Sequence, residues 1–567
     1  MNKIKPVIYQ MLPRLFGNTN PSCVPNGTIE QNGCGKFNDI TPKVLKSLQS
    51  LGITHVWYTG IIEHSQKTDY SRYGIRPDNP HVVKGQAGSP YAIKDYYDVD
   101  PDLAVDVPTR MSEFEALVER THAEGMKVII DFVPNHVSRQ YHSDAKPDGV
   151  ADFGDGDDHT RFFSPTNNFY YIPNQIFAPS VPLGDGDDAY VEFPAKASGN
   201  DCFTAFPSVN DWDETVKLNY GRDYGDWSAH FDPCPPTWNM MLDILLYWCG
   251  KGVDGFRCDM AHMVPVEFWQ WAISSVKEKY PDVIFIAEIY DVALYREYIY
   301  RGGFDYLYDK VNLYDTLRAI ECGHVSAARI TNCWQTVDGI SSRMLNFLEN
   351  HDEQRFASVQ YAGDASLVLP SLVVSAFISD GPMMIYMGQE FGEPAADAEG
   401  FSGLDGRTTI FDYWSVPVLR RWLGGGVPDL RRMTADERRL RAVYARVLNL
   451  SNDEAALREG SFFDLMYVNY DNPAFNPHTM FAFMRSVPGE TIIVVVNFGD
   501  NHADVNVNIP QHAFDVLSIP AGVYHAEELL TGSRSSLVIT PDVPFSTHID
   551  SHGAVAWKII TRKSVEK

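Results

Sequence analysis

Short apolar runs and helical-period runs alternate along the first 450 residues. Val7 to Met11 reads as a strand, and Ile53-Thr54-His55-Val56-Trp57 as a second, preceded by a helix around Val44 to Leu51. Met111, Phe114, Leu117, Val118 and Thr121 recur at helical spacing and mark one face. Gly125 follows as a C-terminal cap, and Lys127 to Phe132 reads as a buried strand. The cycle repeats. Leu242, Leu245, Leu246 and Cys249 predict a helix face, and Val253 to Cys258 the next strand. Phe268, Trp269, Ala272, Ile273 and Val276 predict another helix, ended by Pro281 before the strand Val283 to Ala287. Phe304 to Leu307, Met344 to Leu348 and Met383 to Met387 complete eight strands. Leu440, Val443, Tyr444, Val447 and Leu448 predict a last helix.

Strand–helix alternation of this kind implies a parallel sheet with helices outside. Eight repeats close naturally as a (β/α)8 TIM barrel, an α/β fold, although periodicity alone leaves an open doubly wound sheet as the alternative. Two regions break the rhythm. Residues 137–235 are rich in Gly, Asp, Pro and aromatics, and a structureless loop of that length is improbable, so they read as an inserted domain. Residues 456–567 carry the short β-rich runs Phe462 to Val468, Met480 to Met484, Thr491 to Phe498, Ala503 to Ile509 and Ala554 to Ile560. These predict a C-terminal antiparallel β-sandwich domain. The barrel is then expected from residues 1–136 and 236–455.

Composition narrows the function. The 567 residues hold 47 Lys+Arg against 74 Asp+Glu, a formal charge of −27. That argues against nucleic acid or an anionic membrane as partner, since both need a basic face. Aromatics are high at 13%, which fits rings stacked on sugars or a large core. Leu367 to Met387, the longest apolar stretch, is broken by Pro370, Asp380, Gly381 and Pro382, so no membrane span is expected. After Lys3 and Lys5, Pro6 and Gln10 leave no room for a signal-peptide core, so a cytoplasmic location is expected, with a trimmed secreted form as the alternative. The eight cysteines form no CxxC pair. Cys23 and Cys34 are the local disulfide candidates, but reduced thiols are the expected state.

Catalytic groups of a barrel sit at the C-terminal ends of its strands. Here those ends read Asp131 to His136, Arg257-Cys258-Asp259, Ala287-Glu288 and Glu349-Asn350-His351-Asp352. Three candidate carboxylates, one arginine and two histidines thus converge on one mouth. Arg257 and Asp259, two apart on a strand, point the same way. The arginine favours the ionised form of its neighbour, as a nucleophile requires. Glu288, in drier surroundings, would hold a proton near neutral pH. That pairing is what glycoside hydrolysis needs, with the carboxyl groups roughly 5–5.5 Å apart in the retaining version. Taken singly, each motif has a plain structural reading. Asp131 reads as a hydrogen-bonding group, and Trp57, Trp212 and Trp414 as core residues rather than sugar platforms.

Together and in this order, the four segments resemble the conserved regions of the α-amylase family, glycoside hydrolase family 13. Val7 to Phe16 resembles that family's first strand, Met387 to Glu390 its turn after the eighth, and Arg407 to Trp414 the segment beyond. The resemblance implies Asp259 as nucleophile, Glu288 as general acid/base and Asp352 as transition-state stabiliser. It implies sugar contacts by His136, Arg257 and His351 and a stacking tyrosine at Tyr91, with Tyr96 or Tyr97 as competing choices. His262 stands where many relatives have a lysine on the leaving-group side.

The resemblance also implies a structural calcium with Asn135 as a ligand. The aspartate of the family's insert motif is read here as Asn219, in Val216-Lys217-Leu218-Asn219, which weakens that site. Gly154 to Asp158 and Gly184 to Asp188 are further oxygen-rich turns, without EF-hand spacing. No organic cofactor is expected. The implied activity is retaining hydrolysis of α-1,4-glucosidic bonds in starch-derived maltooligosaccharides, by a monomer. The alternatives are sucrose or trehalose chemistry, α-1,6 cleavage, or glucan transfer. A non-catalytic sugar-binding role ranks below them, because all three acids are present.

Overall fold

The computed structural model describes residues 4–398 and 403–561; Met1 to Lys3 lie outside them. Eight parallel strands close into a barrel: β1 (Val7–Met11), β2 (His55–Tyr58), β3 (Lys127–Phe132), β4 (Gly255–Cys258), β5 (Ile284–Ala287), β6 (Tyr306–Tyr308), β7 (Met344–Phe347) and β8 (Met383–Tyr386). Each pairs with its sequence neighbours, and β1 closes on β8 through Val7↔Met383 to Gln10↔Tyr386. The β3, β4 and β8 strands are buried along almost their whole length. A parallel strand covered on both faces reads as a continuous apolar run, which is why these strands were visible in the sequence.

The outer helices follow the expected spacing. They include α1 (Pro42–Ser50), α2 (Arg110–Ala123), α3 (Pro236–Gly250), α4 (Val266–Lys279), α5 (Leu369–Phe377) and α6 (Ala435–Asp453). Phe268, Trp269, Ala272, Ile273 and Val276 are all buried on α4. Gly125 takes φ +75° just past α2 and donates its N–H to His122 O, the left-handed stop its position predicts. The α3 face differs from expectation. Met241, Ile244, Leu245, Trp248 and Cys249 are buried, whereas Leu242 and Leu246 are only half-buried. The buried stripe lies opposite the exposed Asn239 and Asp243, and Trp248 on it donates Nε1–H to Tyr96 O.

The segment between β3 and β4 contains two small two-stranded sheets. His136–Ser138 pairs antiparallel with Thr215–Lys217, and Tyr171–Ile172 with Ala195–Lys196. Beyond α6 the chain is antiparallel. A six-stranded sheet runs in the order β9 (Ser461–Asp464), β10 (Met480–Val487), β11 (Glu490–Asn497), β16 (Gly553–Ile560), β13 (Gly522–Glu528), β14 (Arg534–Ile539). A second pair joins β12 (Ala503–Val507) to β15 (Phe545–Ile549), and its Val505, Val507, Phe545 and Ile549 enter the same core. Three of these strands, β13, β14 and β15, escaped the sequence reading because exposed polar residues interrupt their apolar pattern. The run Phe462 to Val468 is also shorter as a strand, giving way after Asp464 to a 3-10 turn. All eight cysteines are free thiols. No helix among the described residues is long and apolar enough to cross a membrane.

Arg485 of β10 ties the C-terminal sheet to the barrel. Its guanidinium donates to Ile378 O at the end of α5 (3.0 Å) and to Ala456 O and Leu457 O (3.2 and 3.4 Å). Burial lowers its pKa to about 10. Arg485→Met keeps much of the volume but strands three carbonyls, and should cost about 3 kcal/mol at roughly 1 kcal/mol per lost bond. Urea denaturation followed by tryptophan fluorescence reads this directly; an unchanged midpoint would contradict it.

Candidate active site

The C-terminal ends of β3, β4, β5 and β7 deliver one arginine and four carboxylates to the same mouth. Arg257 is the penultimate residue of β4 and only 1% exposed. Its Nη1 donates to Asp259 Oδ1 at 2.7 Å and lies 3.5 Å from Asp131 Oδ1. Its Nη2 sits 2.7 Å from Glu288 Oε2, a close ion pair outside good hydrogen-bond geometry. Its Nε donates to Tyr308 OH at 3.3 Å. Three rings pack around the guanidinium: Trp57, Tyr91 and Tyr308, with centroids 5.4, 5.2 and 5.6 Å away. These contacts compensate a cation that would be costly to bury alone.

The backbone aims the acids. Asp259 N–H bonds Phe132 O, and Glu288 N–H bonds Cys258 O, so the ladder continues one residue past the strands. Met260 then takes a left-handed conformation, φ +42°. Such a φ costs energy for a bulky residue and persists where surrounding structure enforces it. The Met260 N–H, in the peptide that follows Asp259, donates to Glu288 Oε2 at 2.9 Å. Tyr290 OH donates to the other oxygen, Oε1, at 2.6 Å.

The sequence suggested that Arg257 serves Asp259; in the structure both acids share it. Glu288 takes Arg257, the Tyr290 hydroxyl and the Met260 amide, and these hold its carboxyl below the usual range despite burial. Burial, and next the negative charge of Glu288, push Asp259 well up against the pull of Arg257. Two buried carboxylates beside one arginine titrate as a pair. Asp352, half-buried and facing Glu288, is pushed up to about 6 by desolvation and next by the charge of Glu288. Arg257 therefore serves both acids.

Around them stands a wall of neutral rings. Burial lowers His136 and His351 to about 3, so both are uncharged at neutral pH. His351 Nδ1 meets Gln10 Nε2 at 2.7 Å, leaving Nε2 against Tyr91 OH (2.5 Å) and Asp352 Oδ2 (3.1 Å). Since the Gln10 amide nitrogen can only donate, His351 carries its proton on Nε2. The Tyr91 ring stacks on His351 at 5.2 Å and 25°. Asp131 accepts from Trp57 Nε1 (3.0 Å) and Tyr91 OH (3.3 Å), as a structural anchor would.

A cavity of about 410 Å³ opens over this set, lined among others by Tyr91, His136, Asp259, Met260, Glu288 and Asp352. Tyr96 and Tyr97 are buried in the core instead, with Tyr96 OH on Val133 O, so Tyr91 is the tyrosine at the site. His262 does not line this cavity. It borders a neighbouring one of about 350 Å³ with Tyr224 and Trp227, and its ring lies 6.4 Å from Tyr290. Trp212 is no core residue: it lines the main cavity, with its ring 5.2 Å from His136. Trp57 and Trp414 are buried in the core. Sequence reasoning missed Tyr290, Gln10, Tyr308, Glu214 and Lys310. Tyr290, two residues past Glu288, carried a positional signal; the others arrive from distant segments.

The calcium ligand set does not assemble around Asn135. Its Oδ1 accepts the ammonium of Lys217, and Asn219 turns away to bond Ser164 O and Asn167 O. The carboxylates of Gly154 to Asp158 are engaged by protein donors: Asp157 accepts from Asn168 N, Phe169 N and Tyr171 OH, Asp155 from Asp152 N, and Asp158 from Thr160.

Residues 10–193 and 235–460 match the sequence profile described as alpha amylase, catalytic domain. Among curated relatives, Neopullulanase 2 of Thermoactinomyces vulgaris is 23% identical over 523 residues, covering 89% of this chain and 71% of that protein. Alpha-amylase MalA of Haloarcula japonica is 24% identical over 489 residues, covering 85% of this chain and 55% of that protein. Among solved structures, a noncanonic maltogenic α-amylase from Thermotoga neapolitana superposes with TM-score 0.63 at 18% identity, covering 98% and 99% of the two chains. An α-amylase from Geobacillus thermoleovorans complexed with acarbose gives 0.61 at 18%, covering 99% of each. At these identities the superpositions show a shared fold.

The Tyr290 bond favours ionised Glu288, so Tyr290→Phe should raise that group's pKa by up to about one unit. The alkaline limb of kcat/KM, which reports a group that must be protonated, should then move to higher pH. A limb that stays put or moves down would show that Tyr290 does not tune Glu288.

Proposed function

The chain belongs to the α-amylase family, and from that membership we propose that it is a retaining hydrolase of α-1,4-linked glucose oligomers. The observation that carries the reading is the single cavity in which Asp259, Glu288 and Asp352 meet under Arg257, walled by Tyr91 and neutral histidines. A glycoside hydrolase needs one carboxylate to attack and one carboxylic acid to protonate the leaving oxygen. In this reading Asp259 attacks the anomeric carbon and forms the glycosyl–enzyme bond. Glu288 gives its proton to the departing glycosidic oxygen, then takes one from the water that releases the sugar. Asp352 and Arg257 hold the distorted ring.

The substrate-free charge pattern sets a requirement on the first step. Asp259 and Glu288 titrate as a pair beside one arginine, so the first step needs the pair's proton on Glu288. A sugar seated against Asp259 brings the electron-poor anomeric carbon to it and favours its ionised form. The leaving oxygen gives the Glu288 proton an acceptor, loosening the carboxyl from Arg257. His136, Tyr91 and Tyr290, which line the cavity, supply uncharged polar contacts, which suit hydroxyls without attracting counter-ions.

Relatives carry several activity names, Cyclomaltodextrinase of Geobacillus thermopakistaniensis among them, so the linkage is tested and not inherited. Asp259→Asn should lower turnover on the order of 10⁴-fold or more with the fold intact by circular dichroism; retention of substantial activity would mean that another group is the nucleophile. With that variant as blank, maltoheptaose, sucrose and trehalose are followed by NMR. Early α-configured maltooligosaccharides from maltoheptaose alone support the reading. Turnover of a disaccharide, or growth of longer glucans, overturns the substrate while keeping the catalytic pair.

A further inference from the structure

The seam between the barrel and the segment inserted after β3 contains a buried ammonium. Lys217 ends the short strand Thr215–Lys217, directly opposite His136 in the antiparallel register, and its side chain is 2% exposed. Its Nζ meets Asn135 Oδ1, Asp201 Oδ1 at 2.6 Å and Met263 O at 3.2 Å. An ammonium has three N–H donors and no acceptor. Here three oxygens, from the end of β3, the inserted segment and the turn after β4, meet those three donors. Calcium wants six to eight oxygens and cannot share a position with a lysine nitrogen.

The same contact decides the state of a ring in the active site. Because Nζ only donates, the Asn135 amide must present its oxygen to Lys217. Its Nδ2 then faces the other way, donating to Gly199 O at 2.8 Å and meeting His136 Nδ1 at 3.1 Å. A nitrogen that receives a donor is unprotonated, so the neutral imidazole carries its proton on Nε2. That nitrogen is the one left for the cavity His136 lines, beside the Tyr91 backbone.

We propose that Lys217 is the built-in cation of this seam, replacing a metal ion, and that through Asn135 it holds His136 as an Nε2–H donor to the sugar. Lys217 is thus a positioning residue that never touches substrate. The second half rests on the glucan-hydrolase reading; the first does not.

The test begins with melting curves of the intact protein in excess EDTA and in excess CaCl₂. The wild type should melt identically in both, and a drop in EDTA would overturn the proposal by revealing a resident metal. Lys217→Asp exchanges the cation for a ligand: it should melt lower in EDTA and recover with CaCl₂, whereas Lys217→Met should not recover. Absence of calcium rescue in Lys217→Asp would overturn the claim that Lys217 holds a cation position. For the ring, ¹⁵N-histidine spectra, with His136 assigned by its loss in His136→Gln, should show an Nε2-protonated tautomer in the wild type. Lys217→Met should shift that signal toward a tautomer mixture and raise KM for maltooligosaccharide about 10-fold, the equivalent of one lost hydrogen bond, with kcat changed less. An unmoved His136 signal and KM would overturn the positioning role. The melting and spectral readouts need no turnover, so they fail separately from the assignment of substrate.

Discussion

Everything at the barrel mouth depends on one buried guanidinium. Arg257 lies among Asp131, Asp259 and Glu288, and Asp352 joins the same electrostatic neighbourhood. Without that cation, four carboxyls in one dry cavity would largely be protonated, because burial alone pushes each of them up. With it, they share charge unevenly. The fork geometry of arginine lets one side chain address carboxyls from two neighbouring strands at 2.7 Å each, which a lysine point charge could not do. The rings of Trp57, Tyr91 and Tyr308 close the remaining faces of the guanidinium and keep water from screening it.

A second cation plays a different part. Lys217 satisfies three oxygens from three parts of the chain, and the oxygens satisfy it. Such a closed arrangement is what a buried charge requires to persist. It holds the inserted segment to the end of β3 where His136 begins. Both active-site histidines are neutral, and a donor on Nδ1 defines each tautomer: Asn135 for His136 and Gln10 for His351. Two amides, one on β1 and one just past β3, therefore occupy the Nδ1 side of the two rings. A neutral donor serves a hydroxyl without adding a charge that would disturb the acid pair.

The acid pair shows how the substrate-free site differs from a working one. Composition and spacing suggested that Arg257 would serve Asp259. The side chain does reach Asp259, but it also reaches Glu288, which collects two further donors from Tyr290 and Met260. The Met260 N–H on Glu288 comes from the peptide that follows Asp259, so the backbone of one acid carries a donor for the other. How the pair shares its proton therefore depends on bound substrate as well as on Arg257.

What the residues alone determined was the frame. Eight buried strands announced themselves because a parallel sheet covered on both faces requires unbroken apolar runs, and the helices because each buries one 3.6-residue stripe. The positions of Asp259, Glu288, Asp352, Arg257 and His136 followed from the rule that strand ends face the mouth. The C-terminal strands β13 to β15 were not legible, since half-exposed antiparallel strands mix polar residues into their pattern. The buried side of α3 is rotated from the expected one, toward Met241, Ile244 and Trp248 and away from Asn239 and Asp243. Only the tertiary structure decided which distant segments meet: Gln10 with His351, Lys217 and not Asn219 with Asn135, and His262 outside the main cavity. The physical reason is range. Periodicity and strand-end rules are local in sequence, whereas charge sharing, tautomer choice and the exchange of a metal for a lysine depend on ångström distances between segments that may be hundreds of residues apart.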